Sequence, residues 1–339
     1  MKRLLATLLA LLVVASGTAY TVWEKWSTPL TVPDEGFTLL VERGDSLRSV
    51  TSRLEAQGVL EFPSLLIAFG RWTGLDQKIK QGEYQISPPI TAEQLLVLLS
   101  KGEVVHYQLT LPEGITLREA IAILHRQPVL KAELSGVDDE RLTKLVAPHT
   151  SAEGLFLPET YRFERGDSDL DVLRRAHRAL NATLAKEWES RAKGVPYETP
   201  YEAIIMASII ERETGQVSER PEIAGVFTRR LHKGMLLQTD PTIIYGLGAS
   251  FDGNLRKRHL RDAANPYNTY KHAGLPPTPI ALPGAAAINA ALNPAEGKTL
   301  FFVARGDGGH QFSETLAEHN IAVRKYQLRR VKDYRSTPN

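Results

Sequence analysis

Residues 203–210 read Ala-Ile-Ile-Met-Ala-Ser-Ile-Ile, apolar on every helical face apart from Ser208. A helix without a polar face is stable only in the middle of a folded domain, so this run fixes a buried central helix around which other elements must pack. Its start is legible as well. Thr199-Pro200-Tyr201-Glu202 has capping-box spacing with proline at the first helical position, and Gly215 offers a stop. Glu211 follows directly on the apolar run, with Arg212, Glu213 and Thr214 after it. At that point desolvation disfavours the carboxylate, and the negative end of the helix dipole acts in the same direction. A carboxyl kept protonated near neutral pH is what a general acid requires. The plainer alternative is a Glu211 that pairs with an arginine at a helix end. Glu213 does not double the site, because residues two apart on a helix are rotated by about 200°. It reads as structural, or as a partner for Arg212 or Arg220. Thr214, three residues on from Glu211, is expected to share its face.

Composition narrows the class. Hydrophobic residues at 42% and charged residues at 24% exclude disorder over most of the 339 residues. The 41 basic and 39 acidic residues leave +2, too even a balance for a nucleic-acid partner. The absence of cysteine removes disulfides, thiolate metal sites and a cysteine nucleophile. The histidines are scattered without His-Glu-x-x-His spacing, so no metal site is expected. His310 and His319 read as packing or surface residues.

The N-terminus carries an address. After Met1-Lys2-Arg3, residues 4–23 hold no charge, and a helix of that length spans roughly 30 Å, the thickness of a hydrocarbon core. Lys2 and Arg3 precede the span, so the expected topology is a single-pass anchor in the cytoplasmic (inner) membrane with the remainder extracytoplasmic. Trp23 and Trp26 would sit at the interface. The competing reading is a cleaved signal peptide with Gly17-Thr18-Ala19 at the cleavage site.

The expected organisation is an anchor over 1–26, a tether over 27–36, a small domain over 37–105, a second β–α unit and connector over 106–152, a larger domain over 153–330 and a tail over 331–339. In the small domain a strand at 37–41 leads through Gly44-Asp45-Ser46 into a helix with Leu47, Val50 and Leu54 on one face. A second helix over 63–72, a returning strand over 82–86 and a helix capped by Thr91 and Gln94 follow. This βααβ order and its Gly44-Asp45-Ser46-Leu47 opening resemble a LysM-type glycan-binding module, with a generic small α+β domain as the alternative. Gly114-Ile115-Thr116-Leu117-Arg118 echoes that opening and places a β–α unit over 106–126. A long helix is expected from Ser168 to about 191, with Leu173, Ala176, Leu180, Leu184 and Trp188 inward. The fold class is α+β: a membrane helix, a small LysM-like domain and a larger, mainly helical domain with minor strands.

Beyond the central helix, Ile223, Val226, Phe227 and Leu231 form a helical stripe ending at Lys233-Gly234. Asp240 before Pro241 reads either as the N-cap of a single-turn helix closed by Gly246 or as a site residue. Tyr267-Asn268-Thr269-Tyr270 and Gly274-Leu275-Pro276-Pro277 form a polar-aromatic loop region suited to sugar rings.

Several long runs resemble the YceG-like family, in the same order over nearly the whole chain. They are Met206-Ala207-Ser208-Ile209-Ile210-Glu211-Arg212-Glu213-Thr214, Leu237-Gln238-Thr239-Asp240-Pro241-Thr242, Tyr267-Asn268-Thr269-Tyr270, Gly274-Leu275-Pro276-Pro277-Thr278-Pro279-Ile280 and Gly308-Gly309-His310-Gln311-Phe312-Ser313. Glu153-Gly154-Leu155-Phe156-Leu157-Pro158-Glu159-Thr160-Tyr161 matches an upstream signature. The resemblance implies lytic cleavage of the β-1,4 bond between N-acetylmuramic acid and N-acetylglucosamine inside peptidoglycan strands, ending in a 1,6-anhydro sugar. It implies Glu211 as the catalytic acid and base, no metal or organic cofactor, and peptidoglycan synthases as partners. Gln238, Thr239, Asp240, Tyr245, Asn268 and Tyr270 are expected to bind the glycan or orient Glu211, against the alternative of loop and cap packing. Glu159, Glu213 and Asp240 are the second carboxylates of a hydrolytic muramidase, the rival reaction. A non-enzymatic wall-binding scaffold is the rival function.

Overall fold

The computed structural model describes residues 2–327, so the expected tail over 331–339 lies outside the described residues. The chain divides into two compact units, Met1–Tyr107 with Phe163–Gly166, and Gln108–Arg162 with Asp167–Asn339.

The smaller unit begins with α1 (Lys2–Ser27), which carries the uncharged stretch. Among the described residues, no helix is long and apolar enough to cross a membrane. Strand β1 (Phe37–Val41) is followed by α2 (Leu47–Ala56), α3 (Pro63–Thr73), β2 (Gly82–Ile86) and α4 (Ala92–Lys101). β1 and β2 pair antiparallel, Phe37 opposite Ile86 and Val41 opposite Gly82. The apolar alternation of the strands puts Leu39, Val41, Tyr84 and Ile86 into a core closed by Leu47, Val50, Leu54, Leu66, Leu95, Leu96 and Leu99 from the helices. The Gly-Asp-Ser-Leu opening is a helix start. Ser46 caps α2 in a reciprocal box with Ser49, while Asp45 accepts the Glu42 amide at 2.8 Å and pairs with Arg53 at 2.5 Å. Those bonds, Arg53 foremost, hold the Asp45 carboxyl down at about 2.

Strands β3 (His106–Thr110) and β4 (Thr160–Glu164) fall at the joins between the units. The larger unit holds α5 (Leu117–His125), α6 (Glu140–Leu145), α7 (Asp169–Glu189), α8 (Pro200–Glu213), α9 (Arg220–His232), α10 (Asp240–Leu247), α11 (Lys257–Arg261), α12 (Ala285–Leu292), the β5 (Phe301–Ala304) and β6 (His310–Ser313) hairpin, and α13 (Leu316–Tyr326). Capping boxes start α5 at Thr116 with Glu119, α7 at Ser168 with Asp171 and α8 at Thr199 with Glu202.

α8 is the centre of this unit. Its seven apolar residues from 203 to 210 are no more than 4% exposed. α12, rich in alanine, packs on it most extensively and also meets α7 and α9. The one polar residue in that run is fully used: Ser208 Oγ donates to the Ile205 carbonyl at 2.7 Å and accepts the Ile280 amide at 3.0 Å.

Local expectations need three corrections. α8 ends at Glu213, with Thr214 extended at its C-cap, so Thr214 leaves the helical face of Glu211. Asp240 is not an N-cap: Thr239 holds that position, and α10 runs two turns to Leu247, past Gly246. Proline in its first turn removes a donor that a cap would take, and both side chains are engaged elsewhere. In α7, Leu173, Ala176 and Leu180 are buried, but the helix stops at Glu189 and Leu184 and Trp188 are only partly covered.

Candidate active site

Glu211 ends the buried run of α8 and is 9% exposed. Its Oε1 accepts from Arg220 Nη2 at 2.7 Å, and its Oε2 accepts from the Gly284 amide at 3.0 Å. Arg220, the first residue of α9, is itself buried, and the same Nη2 also donates to Glu113 Oε2 at 3.0 Å. Glu113 comes from the turn before α5, Gly284 from the turn into α12. Gly284 approaches the Glu113 carboxyl closely, and a Cβ there would push that carboxyl aside. Burial pushes the Glu211 carboxyl above the usual range, and nearby Glu113 adds to that, against the Gly284 amide and Arg220. Arg220 is thus the arginine of Glu211 and Glu113, not of Glu213. Arg212 turns its guanidinium to the Gly114 carbonyl at 2.9 Å.

Glu213 stands in a separate network. Its Oε1 accepts from the Thr239 hydroxyl, and burial, with nearby Asp240, raises its carboxyl to about 7. The Thr239 amide donates to Thr269 Oγ1 at 3.0 Å, and Tyr270 OH donates to Asp240 Oδ1 at 2.8 Å. Gln238, next to Thr239, is exposed and holds φ at 53°, in the left-handed region. Its amide donates to the Thr269 carbonyl.

The remaining expected residues divide. Asn268 is fully buried: its Nδ2 donates to the carbonyls of His259, Leu260 and Asp262, and its Oδ1 accepts the Tyr270 amide. It staples the loop that carries Tyr267 and Tyr270. Tyr245 instead lines a cavity of about 810 Å³ with Tyr267, Arg118, Glu119, Arg212 and Glu153. Tyr245 and Tyr267 meet edge to face at 4.9 Å. Tyr245 OH donates to Glu153 Oε2 at 3.3 Å, and the Leu117 amide donates to Glu153 Oε1 at 2.9 Å. Burial raises the Glu153 carboxyl to about 7. Gly114 lies against both Glu211 and Arg212: a Cβ there would be 3.6 Å from Glu211 Cγ and 3.7 Å from Arg212 Cδ. None of the six expected binding residues hydrogen-bonds to Glu211 among the described residues.

Glu159 is exposed, and its carbonyl, not its carboxyl, accepts from Leu111. His310 is buried against Glu219 at 2.8 Å, and His319 stacks on Phe301. Among the described residues, no group of three or more His, Asp and Glu could hold a metal ion. Sequence reasoning missed Glu113, Gly284 and Glu153 as site residues. The signals available were the Pro112-Glu113-Gly114 turn ahead of a capped helix and the Glu153 that opens the upstream signature.

The larger unit thus holds a buried carboxyl with a raised pKa at the end of an apolar helix, and a cavity of about 810 Å³ with Tyr245, Tyr267 and Arg212 in its lining. The sequence model of the YceG-like family matches residues 39–325, and the chain belongs to that family. An endolytic murein transglycosylase of Bacillus subtilis (strain 168) is 31% identical over 304 residues, 84% of this chain and 83% of the relative. An endolytic murein transglycosylase of Streptococcus pneumoniae serotype 2 (strain D39 / NCTC 7466) is 26% identical over 323 residues, 85% of this chain and 58% of that longer protein. Among solved structures, the yceG-like protein lmo1499 of Listeria monocytogenes has a TM-score of 0.54 and 30% identity, covering 85% of this chain and 99% of that one.

Proposed function

We infer that this chain is a peptidoglycan lytic transglycosylase that cleaves within glycan strands, with Glu211 as its acid and base. The observation that carries the assignment is the Glu211 carboxyl itself, buried at the end of α8 and held by Arg220 and the Gly284 amide. The protonated carboxyl gives its proton to the oxygen leaving the muramyl C1. The carboxylate then takes the proton of the muramyl C6 hydroxyl as that oxygen bonds to C1 and closes the 1,6-anhydro ring. No water is added. A nucleophile tethered to the reacting sugar has a high effective concentration, so a second carboxyl is unnecessary, unlike ordinary glycoside hydrolysis. This chemistry needs no metal or organic cofactor.

The cavity bounded by Tyr245, Tyr267 and Arg212 takes the glycan, and exposed Gln238 adds a glycan contact. Thr239, Asp240 and Tyr270 hold the loop that carries Gln238, and Asn268 holds the loop that carries Tyr267 and Tyr270. The smaller unit serves as a LysM-like glycan contact over 37–105. Membrane anchoring through residues 1–26 is supported by the uncharged stretch of α1, on which Leu9, Leu11, Leu12, Val13 and Val14 are exposed. An enzyme so tethered works on strands as they leave membrane-bound synthases, which makes the synthases its partners.

Mass spectrometry of digested peptidoglycan tests the reaction. The wild type is expected to leave anhydro-muramyl ends, and Glu211→Gln to cut about 100-fold more slowly or less, the scale of a lost general acid. Products carrying an added water would overturn the lytic route in favour of a muramidase. Undiminished cutting by Glu211→Gln would overturn the residue assignment.

A further inference from the structure

Arg220 is an incomplete partner for Glu211. A guanidinium offers five N–H donors, and a buried Arg–Glu pair is commonly bidentate, which holds the carboxylate firmly ionised. Here one nitrogen, Nη2, serves two carboxyls, Glu211 at 2.7 Å and Glu113 at 3.0 Å. Nε and Nη1 are buried and, among the described residues, without a hydrogen-bond partner. The charged groups facing Glu211 are Arg220 from α9 and Glu113 from the turn before α5. The turn into α12 presents only the Gly284 amide, and α8 contributes Arg212, whose guanidinium is turned to Gly114.

We propose that Glu113 is a positioning residue for the proton on Glu211: by taking a share of the same Arg220 nitrogen, it stops the guanidinium from pairing fully with the catalytic carboxyl. Two carboxylates around one guanidinium leave an excess negative charge, which a single proton removes. The Glu113 side chain is 45% exposed and the Glu211 side chain 4% exposed. Burial disfavours the charged form of Glu211, so the proton settles on this buried carboxyl. The inference rests on the reading of Glu211 as the proton donor.

The full chain, assayed on purified peptidoglycan across pH, tests it. In Glu113→Gln, Arg220 pairs with Glu211 alone and favours its anion. The basic limb of the kcat/KM profile is then expected about one unit lower, with about tenfold less activity on the alkaline side of the new limb. Glu113→Asp restores the wild-type limb. Gly284→Ala, whose Cβ displaces the Glu113 carboxyl without altering charge, is expected to move the limb the same way. A ¹³C-carboxyl titration of the same variants follows the Glu211 proton without turnover, the resonance being assigned by its loss in Glu211→Gln. A limb and a resonance that stay at the wild-type pH in Glu113→Gln overturn the proposal, however far activity falls. Failure of the underlying reading looks different: Glu211→Gln would itself remain active.

Discussion

Glu153 is 7% exposed and takes the Leu117 amide and the Tyr245 hydroxyl on its two oxygens. Burial raises its carboxyl from the ordinary 4.5 to about 7, so the folded chain binds this proton more tightly than the unfolded chain. The stability gained is full below the unfolded value and is lost as pH rises through about 7. Between pH 5 and 8 the wild type is expected to lose on the order of 3 kcal/mol more than Glu153→Gln. Urea unfolding of both proteins at several pH values measures the difference, and parallel curves would exclude it. Glu213 and Glu211 titrate in both proteins and cancel in the comparison. Raised carboxyls therefore do not by themselves single out Glu211. Its arginine separates it from Glu153, which answers to a tyrosine and an amide, and from Glu213, which answers to Thr239.

α8 shows which parts of a fold can be read without coordinates. Its cap, its burial and the place of Glu211 follow from neighbouring residues, because capping and helical periodicity act over a few positions. The same holds for the starts of α5 and α7. Thr199→Ala removes the acceptor for the Glu202 amide and is expected to cost about 1 kcal/mol, read as a lower urea midpoint with unchanged slope. An unchanged midpoint would mean that packing alone sets the start of α8. What could not be read were partners distant in the chain. Glu113 lies 107 residues from Arg220, and Gly284 lies 73 from Glu211; no local pattern links them. Asp240 failed for a subtler reason. A proline beside it suggests a helix start correctly, but which residue caps depends on whether Tyr270 and Glu213 draw the side chains away.

At the scale of the molecule, the proposed anchor makes a direct expectation. The full chain should remain with membranes after an alkaline carbonate wash, whereas a chain beginning at residue 28 should be released. Release of both would leave the cleaved-leader reading or a peripheral attachment. The two units also differ in how their contacts are distributed along the chain. The smaller one closes its core mainly within 37–99. The surroundings of Glu211 in the larger one come from residues 113, 220 and 284.

That scattering has a temporal consequence. A ribosome that has made the chain only through α9 has already produced Glu211 and its arginine, yet the amide that caps the second carboxyl oxygen does not exist. The surroundings of Glu211 are completed late in synthesis, so truncated copies carry its carboxyl without the amide that completes its hydrogen bonding.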